Sequence, residues 1–79
     1  MNEWLEAAAA RLAGVVGEEP GDYVLSEAEA TTLLDLARVV ARDSGERTNA
    51  PLLAYLVGLA HGRSPETGLD ELARRAAEP

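Results

Sequence analysis

Fourteen residues near the middle of the chain, Asn49 to Gly62 (NAPLLAYLVGLAHG), contain no carboxylate, although the chain has 14 acidic residues in all. Wound as a helix, they place Leu52, Leu53, Leu56, Val57, Leu59 and Ala60 on one broad apolar arc with Tyr55 at its edge. Ala54, Gly58 and His61 lie opposite that arc. A helix so poor in charge is expected to be covered on more than one side. Asn49 is the expected N-cap and Pro51 falls in the first turn, where its missing N–H costs nothing. Gly62 is the expected stop, and Ser64-Pro65 then reads as the cap and first turn of another helix.

The remaining segments read as packing partners for this one. Residues 2–16 keep Trp4, Leu5, Ala8, Leu12, Val15 and Val16 within one arc, with Asn2 as cap and Trp4 expected to close one end of the core. Gly17 to Asp22 (GEEPGD) is a loop by its glycine and proline punctuation. Ser26 and Glu29 form a capping box before a helix to Asp43, along which Ala30, Leu33, Leu34, Leu36, Ala37, Val40 and Ala41 keep a helical period. Residues 65–78 make a last, narrow amphipathic helix with Leu69, Leu72, Ala73 and Ala76 inward, supported by the pairs Asp70–Arg74 and Glu71–Arg75. The expectation is one all-α domain over residues 1–79, a compact four-helix arrangement around a central apolar helix, with helices at about 2–16, 26–43, 50–62 and 65–78.

A chain of 79 residues is near the lower limit at which one core suffices, and with no cysteine it has neither disulfides nor thiolate metal sites. His61 is the sole histidine, so metal sites built from nitrogen and sulfur ligands are excluded and no cofactor is expected. A formal net charge of −7 repels phosphate backbones and anionic membranes, and no apolar run approaches a membrane span. Nucleic acid and membrane are therefore not expected partners. The start of the chain carries Glu3 and Glu6 with no basic region, unlike a signal peptide, so a soluble cytoplasmic protein is expected.

No catalytic constellation is recognisable, and the chain reads as non-enzymatic. A general acid or base at His61 would need a nucleophile or carboxylate beside it, and its neighbours in sequence supply none. Asp43-Ser44 echoes the attachment site of acyl carrier proteins, but Ser44 ends a helix instead of opening one and is followed by Gly45. Three candidate surfaces remain. Ala54 and Gly58, small residues four apart, let another backbone come close, and with Tyr55 and His61 they form a candidate protein-binding face or the seam of a homodimer. Arg47, two residues before a helix N-terminus, is a candidate anion or nucleotide contact. Five carboxylates between positions 18 and 29 read as a solvated rim, with a basic partner or a divalent ion as the alternatives.

Three blocks carry a resemblance to a known family: Trp4-Leu5 with Ala8, Leu33 to Ala41 (LLDLARVVA), and Ala50 to Gly62 (APLLAYLVGLAHG). On these the chain resembles a small all-helical domain family of unknown function in actinobacteria, whose members occur alone or appended to molybdenum-cofactor guanylyltransferases. The resemblance implies an accessory or interaction module for such an enzyme. The chain departs from the family pattern at Arg42, where a histidine is expected, and at Arg47-Thr48, where Arg-Pro is expected.

Overall fold

The computed structural model describes residues 1–78, which contain four α-helices, one short 3-10 helix and no strand. These are α1 (Glu3–Val16), the 3-10 helix (Pro20–Tyr23), α2 (Glu27–Asp43), α3 (Asn49–Arg63) and α4 (Leu69–Ala76). The all-α class expected from periodicity is the class observed. The chain divides into two units, Met1–Ala30 and Thr31–Pro79.

The first unit is built from local signals. Asn2 Oδ1 accepts the Leu5 N–H at 2.9 Å and opens α1. At the other end Gly17 adopts a left-handed φ of 73°, and the Glu18 N–H reaches back to the Ala13 carbonyl at 2.9 Å, which together make a Schellman stop. The 3-10 helix packs against α1. Ala9 and Ala13, one turn apart, are the buried residues of α1. Trp4, expected to close the core, is instead 73% exposed, because α1 buries its small-residue edge and turns the bulky part of its arc outward. The capping box forms as its sequence implies: Glu29 N–H donates to Ser26 Oγ at 3.1 Å, and Ser26 N–H to Glu29 Oε1 at 2.8 Å.

In the second unit Leu36 and Val40 of α2, Val57 of α3, and Leu69 and Ala73 of α4 form one buried cluster, flanked by half-buried Leu33, Leu53 and Leu72. Leu34, one of the periodic residues of α2, faces solvent. Asp35 pairs with Arg38 at 3.5 Å, as its spacing implies.

Four local expectations are corrected. Asn49 is the first residue of α3 and not its cap; its amide donates to Ser44 Oγ at 3.0 Å, and Thr48 at the cap position makes no side-chain bond. Gly62 does not end α3, which runs one residue further to Arg63. The last helix starts at Leu69 and not at 65. Ser64 Oγ donates to Glu66 Oε1 at 2.6 Å and Thr67 N–H donates to the Ser64 carbonyl at 3.0 Å, so residues 64–67 close a turn of their own. That hydroxyl also holds the Glu66 carboxyl below its ordinary range. On α4, Arg74 meets Glu71 at 3.8 Å and Glu78 at 3.5 Å, and Arg75 meets Glu78 at 3.6 Å. Asp70, expected opposite Arg74, folds back over Gly68.

Two pairs of substitutions test this account. Leu36→Ala should lower unfolding free energy by about 2–5 kcal/mol, whereas Leu34→Ala two residues away should stay within about 0.5 kcal/mol, read by chemical denaturation. Gly17→Ala, forced into a left-handed backbone, should cost about 1 kcal/mol, and Gly14→Ala in the exposed interior of α1 should gain about 0.5–1 kcal/mol.

Candidate functional site

The orientation of α3 in the second unit is set by its buried residues, Ala50 and Val57, with Leu53, Ala54, Ala60 and His61 half-buried beside them. Leu52, Tyr55, Leu56 and Leu59 consequently face solvent as one continuous stripe. The broad apolar arc read from the sequence is thus divided lengthwise, with its Val57 edge inside and its leucine edge outside.

The four residues named as a partner surface differ in exposure. Tyr55 and Gly58 are exposed, while Ala54 and His61 sit on the half-buried flank. A Cβ built at Gly58 meets nothing within 4 Å, so no backbone of this chain uses the close approach that Gly58 permits. Of the exposed stripe only Tyr55 had been singled out by sequence reasoning. Leu52, Leu56 and Leu59 belong to the broad arc of a helix expected to be covered on more than one side, and the structure leaves them in solvent because the second unit covers only the Val57 edge.

Shallow grooves border the stripe. One, of about 350 Å³, runs between α3 and α4 and is lined by Leu53, Leu56, Val57, Ala60, Leu72, Arg75 and Ala76. Another, of about 310 Å³, is lined by Val40, Ser44, Asn49, Leu52, Leu53 and Leu56. Leu56 lies on both. Ser44, Asn49 and Arg75 are the polar or charged residues lining these grooves, and α3 itself carries no acidic residue.

Arg47 is exposed and makes no ion pair among the described residues, and Asp43 is held by Arg42 at 2.8 Å. The anion reading also required free amides at the start of α3. There the Asn49 N–H donates to the Glu46 carbonyl and the Ala50 N–H to the Arg47 carbonyl, both at 3.2 Å, and Pro51 has no N–H. The first three helical positions therefore offer an anion no donor.

At the acidic rim, the Tyr23 hydroxyl donates to the Glu18 carboxylate. The hydrogen bond, followed by partial loss of hydration and the nearby charges of Glu18 and Asp22, holds the Tyr23 phenol above its ordinary value. Among the described residues no group of three histidine, cysteine, aspartate or glutamate side chains is placed to share a metal ion. Nor is any described helix long and apolar enough to cross a membrane.

The family described as Domain of unknown function (DUF6457) matches residues 1–79, the whole chain. The chain belongs to this family. The three sequence blocks that suggested a small all-helical family of unknown function thus pointed to DUF6457, and two of them, in α2 and α3, supply core residues of the second unit. Comparison with curated proteins and with solved structures finds no match. Membership in DUF6457 assigns the chain no activity.

The contact at Tyr23 gives a measurable titration. In Tyr55→Phe, Tyr23 is the remaining phenol, and its ultraviolet titration midpoint should lie above 10.0 and move back toward it when Glu18→Ala is added. Because the folded-state value is raised, the contact contributes its stability below the ordinary tyrosine range and loses it as pH rises through the raised value.

Proposed function

We propose that this chain is a non-enzymatic, acidic accessory domain that acts by binding protein, with a molybdenum-cofactor guanylyltransferase as the partner implied by the resemblance. One observation carries the binding part of this reading: a helix without acidic residues, in a chain of net charge −7, leaves four large apolar side chains in solvent. Contiguous apolar surface of this kind, bounded by polar residues, marks interaction sites. Exposed Gly58 beside Tyr55 widens the surface by letting a partner backbone approach α3.

The nature of the surface sets the kind of contact. With no acid on α3, the second unit's carboxylates on α2 and α4, Asp35, Asp43, Asp70 and Glu71, act at longer range, where they steer a basic partner. The apolar stripe then supplies the short-range part, which dominates the dissociation rate.

Calorimetric titration against the purified guanylyltransferase of the same host tests both parts. Binding in the micromolar range is expected, and Gly58→Leu, which fills the open position beside Tyr55, should weaken it by roughly tenfold with the helical content intact. Absence of binding to the enzyme would remove it as the partner. Unchanged affinity of a folded Gly58→Leu variant would remove this flank of α3 from the surface.

A further inference from the structure

We draw no further inference here: the strongest candidate, the cavity of about 270 Å³ between α2 and α4 lined by Leu36, Val39, Ala73, Asp35, Asp70 and Arg74, carries no ligand assignment, because Asp35 is paired with Arg38 and Arg74 with Glu71 and Glu78, and nothing in the structure shows what covers it.

Discussion

In the second unit, Val57 has to find cover among Leu36, Val40, Leu69 and Ala73, and the rest of that unit follows from how little room this takes. The cluster is made of medium and small side chains drawn from three helices, one of them only eight residues long. Burying a side chain of this size stabilises by about 1.5–3 kcal/mol relative to leaving it exposed. A cluster this small therefore leaves the narrow margin that is usual for short chains. Once the Val57 edge of α3 is committed, the leucine edge has no further helix of the unit to meet.

That geometry explains why the sequence was informative about elements and uninformative about the surface. Asn2, the Ser26–Glu29 box, Gly17 and the Asp35–Arg38 pair act within a few residues, so their chemistry is visible in the order of the chain and recurs in the structure. The ends of α3 and α4 were misread where a polar side chain had two local options. Asn49 turned to Ser44, and Ser64 turned to Glu66 and Thr67. Periodicity placed Leu52, Leu56, Leu59 and Val57 on one arc. It carried no information on which part of that arc the partner helices would reach, and so the exposed stripe was legible only in three dimensions.

The charge distribution complements the apolar one. Acidic side chains fall on the first turns of α1, α2 and α4, where they suit the helix dipoles, and arginines fall in the last turn of α4. α3 has no acidic residue in its first turn and ends with His61 and Arg63. Within the second unit α3 is the helix that carries no carboxylate. The residues of α3 combine core and surface within one segment.

The uncapped start of α3 has a consequence for the lifetime of the chain. Thr48 makes no side-chain bond and Pro51 contributes no N–H, so α3 begins without the reinforcement that holds α1 and α2. Its hold depends on side-chain contact, which the Val57 edge makes and the exposed leucine edge does not. A molecule covering that edge would bind the folded form alone and would shift the opening equilibrium of the helix by mass action. A solitary chain opens α3 more often and presents it to proteolysis, so survival in the presence of proteases becomes a record of occupancy.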